Sequence, residues 1–431
     1  MSGKKIYNLA KFLWPINRSL TGNGNRKTLK IIKKILVNLK IKEVISDKKV
    51  YDWKTPKEWN VKSAYIADSK QKKIIDFKKN NLHLVGYSIP VKDTFNYNEL
   101  KKNLFFLKKQ KKAIPYVTSY YKRKWGFCLS YNQFIKLKKN EKYFVNIDSE
   151  IKKGKMTYGE LLIKGKSRKE VLLSSYICHP SMGNNELSGP CMLTYIAKWI
   201  AKQKNLKYTY RIVLAPETIG SIYYINKNLI RLKKNVIAAF NLNCLGDNGQ
   251  FSFLPSRLGN SYSDEVAKSV LNENKKKYKV YSWLDRGSDE RQYCWPMVDL
   301  PMCSVMKSKF HTYKEYHTSE DNLNFITHKG LNESFKIYKK IIHKIETDIF
   351  PIATTICEPN LGKRNMYNTT SIKSDKSYSG KTILNILSMS DGKLSLSTIG
   401  NIIKIKKSKI IKISEMLQNK KLLKIHLFRQ V

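Results

Sequence analysis

At 431 residues the chain is longer than one ordinary core fills, so two or three domains are expected. A hydrophobic content of 42% with 26 tyrosines excludes a disordered chain, and seven cysteines without CxxC spacing exclude a disulfide framework or a structural zinc knuckle. The formal charge of +49 is a field that nucleic acid or an anionic polymer would answer, but its lysines run evenly from Lys4 to Lys424 among abundant Asn and Ile, which reads as genomic AT bias rather than one basic stripe.

The start, MSGKKIYNLAKFLWPINRS, has neither the long apolar region nor the small-residue cleavage site of a signal peptide. No run approaches the roughly 18 apolar residues of a membrane span, so a soluble, cytoplasmic protein is expected. Residues 1–47 read as an N-terminal helical part, with Leu29, Ile31, Ile32, Ile35, Leu36 and Leu39 at helical spacing after the turn Thr21-Gly22-Asn23-Gly24. Arg18, Ser19 and Thr21 stand just ahead of that helix, where a loop cap is the expected role.

Between 48 and 165 short alternating strands predict a small β-rich domain inserted before the main sheet. Its markers are Ala64-Tyr65-Ile66, Ile74-Ile75-Asp76-Phe77, LHLVGYSIPV and YFVNIDSEI. His83 and the aromatics Tyr116, Tyr120, Tyr121 and Trp125 are candidates to face a ligand, with the core of the β domain weighed ahead of that role. From 166 to 356 buried strands alternate with helices, the signature of an α/β domain with a mostly parallel sheet flanked by helices. After a Pro/Asn/Gly linker and a Ser/Lys-rich boundary at 371–380, residues 375–431 read as three helices and a strand, the order of a winged helix.

Each main-sheet strand runs into a polar cluster: Cys178-His179-Pro180 and Glu186, Pro216-Glu217-Thr218, Asn243 and Asp247, Arg286 to Arg291, and His317. Polar residues recurring at one end of successive buried strands are hard to explain by packing. Hydrolysis through a metal needs a few histidine and carboxylate ligands, an open position for water and a carboxylate base. His179 and His317 are the natural nitrogen ligands, because they alone among the histidines follow apparent core strands in polar loops. Glu186, Glu217, Asp247, Asp289 and Glu290 supply carboxylates. No GxSxG, GxGxxG or GxxxxGKS follows a strand, and Cys178 and His179, adjacent on the chain, point apart.

The series YICHPSMGNNELSGP, PETIGS, NCLGDNG, DRGSDERQYC and EYHTSEDNL, with NRSLTGNGNR and YDWKTPKEWNV upstream, resembles the aminopeptidase-like proteins encoded among bacterial polysaccharide-biosynthesis genes. That resemblance implies a zinc aminopeptidase/carboxypeptidase fold over 166–356, with the inserted β domain and a C-terminal winged helix. It carries His179 and His317 over as histidine ligands, Glu217 as general base and Asp289 as a supporting aspartate. Where co-catalytic aminopeptidases carry a bridging aspartate, a second glutamate ligand and a further aspartate ligand, this chain has Asn185, Thr218 and Asn243. The implied site is therefore one zinc on His179, Glu186 and His317, with Asp289, Arg286 and Arg291 placed to bind a charged substrate end.

The expected function is zinc-dependent hydrolysis of an amide in a peptide or an acylated sugar, linked to surface polysaccharide biosynthesis. Two alternatives stand beside it. One is a catalytically degenerate peptidase fold that binds a glycan precursor or a protein; the other is DNA binding through the winged helix, ranked below protein contact. Homo-oligomerisation is left open.

Overall fold

The runs of Val, Leu, Ile and Ala that read as buried strands form the centre of an eight-stranded sheet. The computed structural model describes residues 2–274, 277–366 and 379–429, in two units, Met1–Lys339 and Lys340–Val431. Residues 371–378 of the expected Ser/Lys-rich boundary, and position 375 with them, lie outside the described residues.

The first unit opens with two amphipathic helices, α1 (Ser2–Leu13) and α2 (Asn23–Ile35), which bury Ile6, Leu9 and Leu13, and Leu29 and Ile32. Where helix was expected to continue to residue 40, the chain turns at Leu36 into strand β1 (Lys40–Ile45). The inserted sheet follows as β2 (Glu58–Ala67), β3 (Lys73–Asp76), β4 (Val91–Asn96) and β5 (Lys142–Lys152), antiparallel throughout in the order β3-β2-β5-β4. Most of LHLVGYSIPV is not strand: a 3-10 turn covers Asn81–His83 and Tyr87 sits at φ 63°.

Strand β6 (Lys155–Ile163), inside the range read as the insertion, pairs with β1 on one side and β8 on the other and so belongs to the large sheet. The remaining elements of this part are β7 (Glu170–Tyr176), α3 (Ser188–Ile200), β8 (Thr209–Ala215), α4 (Ile219–Asn235), β9 (Val236–Asn241), β10 (Phe251–Leu254), α5 (Tyr262–Glu273), β11 (Tyr278–Val280), α6 (Glu290–Tyr293), β12 (Met302–Met306) and α7 (His328–Thr347). Every residue of β7, β8, β9 and β12 is buried, as expected of parallel strands covered on both faces.

The sheet order is β1-β6-β8-β7-β9-β12-β10-β11. From β7 the chain moves through α3 to β8 on one side, then crosses through α4 to β9 on the other. The strand order therefore reverses at β7, and the crevice beyond its carboxyl end is the ligand position of open α/β sheets. His179 lies three residues beyond that end. Gly189, in the first turn of α3, makes close packing possible there, since a Cβ would come within 2.4 Å of the Leu242 carbonyl oxygen. One core joins the two sheets, with Trp59, Ile66 and Val145 of the insertion packed with Leu172, Val213 and Met302.

In the second unit β13 (Phe350–Ala353) pairs antiparallel with β14 (Leu423–His426), Phe350 opposite His426. Between them lie α8 (Gly380–Ser388), α9 (Leu396–Ile402) and α10 (Lys407–Asn419), the first two capped by Ser379 and Ser395. Ile383, Ile386, Ile399, Ile410, Ile413 and Leu417 form its core, while Lys406, Lys407 and Lys409 are exposed. Among the described residues no helix is long and apolar enough to cross a membrane.

Candidate active site

Five loops converge at the carboxyl end of the parallel strands, and their backbones are strained there. Ser181 (φ 40°), Thr218 (65°), Cys244 (49°) and His317 (54°) all take left-handed conformations. For β-branched Thr218, at ψ −80°, this is a true outlier, of a kind that costs about 1–3 kcal/mol and persists only where surroundings enforce it.

His179 is buried, and its two ring nitrogens face different carboxylates. Nδ1 lies 3.4 Å from Glu186 Oε2, while Nε2 lies 3.8 Å from Glu217 Oε2. The His179 backbone N–H also donates to Glu186 Oε2. Burial pulls the His179 pKa down, but the Glu186 hydrogen bond and the charges of Glu217 and Glu186 outweigh it and the net shift is upward. Glu186 is fully engaged, because Arg18 Nε donates to its other oxygen at 2.8 Å and both side chains are wholly buried. Arg18 is in turn fixed by the carbonyls of Leu13 (2.8 Å) and Ile16 (3.2 Å) at the end of α1.

His317 comes from the loop after β12 and brings its ring within 5.3 Å of the His179 ring, centroid to centroid. It stacks on Tyr316 at 3.9 Å and meets Tyr116 edge-on at 5.2 Å, and its carbonyl accepts from the Tyr116 N–H at 2.8 Å. Its Nε2 is buried without a hydrogen-bond partner. Burial, with His179 and His311 nearby, lowers its pKa to about 2, so the ring is neutral and offers a lone pair.

Glu217 Oε1 accepts from Ser288 Oγ at 2.9 Å, which leaves Oε2 toward His179. Burial raises its pKa against the pull of His179 and Arg291. Asp289 stands beneath: its Oδ1 accepts from the Thr218 N–H (2.8 Å) and Ser221 Oγ (2.7 Å), and Oδ2 has no partner. Burial, then the Glu217 charge, push its pKa up to about 7. Arg291 donates from Nη2 to Thr218 Oγ1 at 2.6 Å.

These residues border a cavity of ≈ 350 Å³ whose lining includes His179, His317, Glu217, Thr218, Arg291, Trp53 and the tyrosines 116, 120 and 121. Three of the four aromatics weighed as core thus face the cavity, whereas Trp125 packs on Phe95 at 5.1 Å. His83 is a core histidine, its Nδ1 2.8 Å from the Cys128 carbonyl oxygen. Arg286 lies against Trp283 at 5.2 Å and is not among the cavity's lining residues. Asp247 and Glu290 hold loops: Asp247 accepts from Asn184, Gly249 and Ser308, and Glu290 from Gly287, Ser288 and Asn241.

At the three neutral positions, Asn185 Oδ1 accepts from Tyr176 Oη, the Thr218 hydroxyl oxygen accepts from Arg291 Nη2, and both amide atoms of Asn243 are buried without partners. Asp321, which the sequence did not single out, anchors the 183–187 turn by accepting from the N–H groups of Asn184 (2.6 Å) and Asn185 (2.9 Å). Cys178 and His179 do not point apart as expected: they lie beyond the end of β7, where strand alternation no longer holds, and Cys178 Sγ is 3.5 Å from His179 Nδ1. With Glu186 they cluster closely enough to hold a cation, but burial drives the Cys178 thiol well above its ordinary range and keeps its proton on.

The state of Asp289 has a measurable consequence. A carboxyl whose folded pKa is raised, here from the ordinary 3.8 to about 7, is stabilising below the lower value, and that contribution is lost as pH rises through the upper one. Asp289→Asn keeps the oxygen that accepts from Thr218 and Ser221 and removes the charge. It is expected to raise stability by roughly 1–3 kcal/mol at pH 8 and by less at pH 5. Urea midpoints at both pH values check this, and destabilisation at both would refute a charged Asp289.

Comparison with known proteins agrees with this architecture. The family described as a domain of unknown function, DUF4910, matches residues 7–348, and a winged helix-turn-helix family matches 350–425. A presumed polysaccharide biosynthesis protein with an aminopeptidase-like domain, from Clostridium acetobutylicum, is 44% identical over 399 residues, covering 92% of this chain and 91% of that one. The crystal structure of a presumed peptidase from the same organism superposes with a TM-score of 0.84 at 42% identity over 98% of this chain and 96% of that chain. At 12% identity, a zinc aminopeptidase of Bacillus subtilis gives a TM-score of 0.58 over 79% of this chain and 95% of its own, a likeness of fold alone. The chain therefore belongs to the DUF4910 family, with a relative named for its aminopeptidase-like domain, an α/β fold similar to that of a zinc aminopeptidase and a winged helix after it.

Proposed function

We propose that the cavity hydrolyses an amide bond, with one zinc ion held by His179 and His317 and with Glu217 as general base. One observation carries this reading: two imidazoles, one with a buried and partnerless Nε2, converge beside a carboxylate oxygen in a single cavity. Two such nitrogens fit zinc, and the neutral residues at Asn185, Thr218 and Asn243 leave no carboxylates for a second ion. Zinc, when bound, polarises a carbonyl and lowers the pKa of water.

Glu217 Oε2 then takes the proton of the attacking water and passes it to the departing amine, while Ser288 holds Oε1 and fixes the direction of transfer. Glu186 stands on the far side of the His179 ring with both oxygens occupied. It is a carboxylate that orients the histidine rather than a ligand. The name of the Clostridium acetobutylicum relative, which joins polysaccharide biosynthesis to an aminopeptidase-like domain, supports an amide substrate met in that context.

Zinc titration of the purified full chain tests the assignment. His317→Ala is expected to abolish stoichiometric binding. Glu186→Gln should weaken binding by about 10–100-fold, the usual cost of losing a residue that orients a ligand. No stoichiometric zinc in the wild type would remove the hydrolase reading, and complete loss in Glu186→Gln would make Glu186 a direct ligand.

A further inference from the structure

We propose that Arg291 anchors a carboxylate of the substrate, so that the cavity takes an amide bearing a free carboxylate near the scissile bond and rejects one bearing a free α-amine. This rests on the reading of the cavity as a substrate site.

The guanidinium borders the cavity beside Glu217 and His317, yet its one hydrogen bond among the described residues is to a neutral hydroxyl, Thr218 Oγ1 at 2.6 Å, and its Nε is buried without a partner. Glu217 and Asp289 act on it through space and do not neutralise it by contact. Arg291 is half-buried, and a cation partly withdrawn from water with one donor atom shut away unpaired gains from an anion that completes it. The backbone strain at Thr218 is borne by the residue that holds Arg291 in place. The Thr218 bond holds the guanidinium at the cavity wall, and its planar fork suits a small planar anion.

The surrounding charges select the ligand further. A substrate ammonium would need carboxylates, and Glu217, the one that lines the cavity, is already turned to Ser288 and His179. Glu217, the one carboxylate among the cavity's lining residues, disfavours a phosphate dianion more strongly than a carboxylate monoanion. Tyr116, Tyr120 and Trp53 offer flat, apolar surface to the rest of the substrate, and burial holds the two tyrosines in their neutral form.

The test is calorimetric binding of three matched probes to the zinc-loaded full chain: N-acetylphenylalanine, its neutral amide, and phenylalaninamide with a free amine. The acid is expected to bind at least about tenfold tighter than either amide. Arg291→Gln should erase that preference without weakening the neutral probe, and Arg291→Lys should restore part of it. Thr218→Val should reduce the preference while Thr218→Ser keeps it, which reads the positioning of Arg291 separately from folding.

A tighter free amine, an acid preference that survives Arg291→Gln, or no binding of any probe would overturn the proposal. Acid preference without turnover of any amide would sink the hydrolase reading and leave this one standing. Turnover without acid preference would do the reverse.

Discussion

Replacing Arg18 with methionine is expected to lower the stability of the first unit by about 3–5 kcal/mol, the cost of leaving one partner of a buried ion pair uncompensated. Both side chains are at 0% exposure and Nε meets Oε1 at 2.8 Å, so solvent neither screens the pair nor replaces it. Without Arg18, the Glu186 carboxylate keeps only the backbone N–H and the ring Nδ1 of His179, both on Oε2, and remains shut away from water. Methionine preserves most of the buried stem, which confines the loss to charge and hydrogen bonds.

The reciprocal change, Glu186→Gln, should cost less, because Arg18 retains the Leu13 and Ile16 carbonyls and the glutamine oxygen. In the double variant Arg18→Met/Glu186→Gln neither charge is stranded. Its loss should fall short of the sum of the singles by at least about 2 kcal/mol. Urea unfolding followed by tryptophan fluorescence measures all three. A loss below about 1 kcal/mol for Arg18→Met would mean that the pair behaves like an exposed one.

That ion pair also marks where sequence reading stops. The strand-end clusters were legible because burial dictates apolar runs, and a run that ends in His, Glu or Asp has no packing reason to do so. His179, Glu217 and His317 were found that way, and all three border one cavity. Arg18 and Glu186 are 168 residues apart, and no periodicity encodes a contact across that distance. A lone arginine before a helix reads as a cap, and Glu186 with its partner unseen reads as a ligand.

Arg286 and Arg291 posed a related problem. They are five residues apart in a loop and a short helix, and only the fold decides that Arg291 turns to Thr218 while Arg286 lies on Trp283. Strand β1 was missed because lysine-rich KIKEVI has little strand character until β6 pairs with it. Tyr116 and Tyr120 satisfy a core and a cavity wall equally well, so composition could not separate the two.

Glu217→Gln is expected to cut amide hydrolysis by about 10²–10⁴-fold on any substrate the wild type turns over, the usual contribution of a positioned base. Glutamine matches the shape and still accepts from Ser288 Oγ at the Oε1 position, but the atom replacing Oε2 cannot take a proton. The variant should fold and bind zinc, and because burial makes the ionised form of Glu217 costly, it should be no less stable than wild type at neutral pH.

The pH profile gives the sharper signature. A base works only when deprotonated, so the wild-type rate must rise with pH through the Glu217 pKa. Burial sets that limb above the ordinary glutamate value of 4.5, with His179 and Arg291 limiting the displacement. Arg291→Gln removes one of those opposing charges and should move the acid limb to still higher pH, whereas Glu217→Gln should abolish it. If Glu217→Gln retained the wild-type limb, or a rate within about threefold of wild type, proton transfer would belong to another residue. The next candidate would then be Asp289, whose pKa is also raised, to about 7.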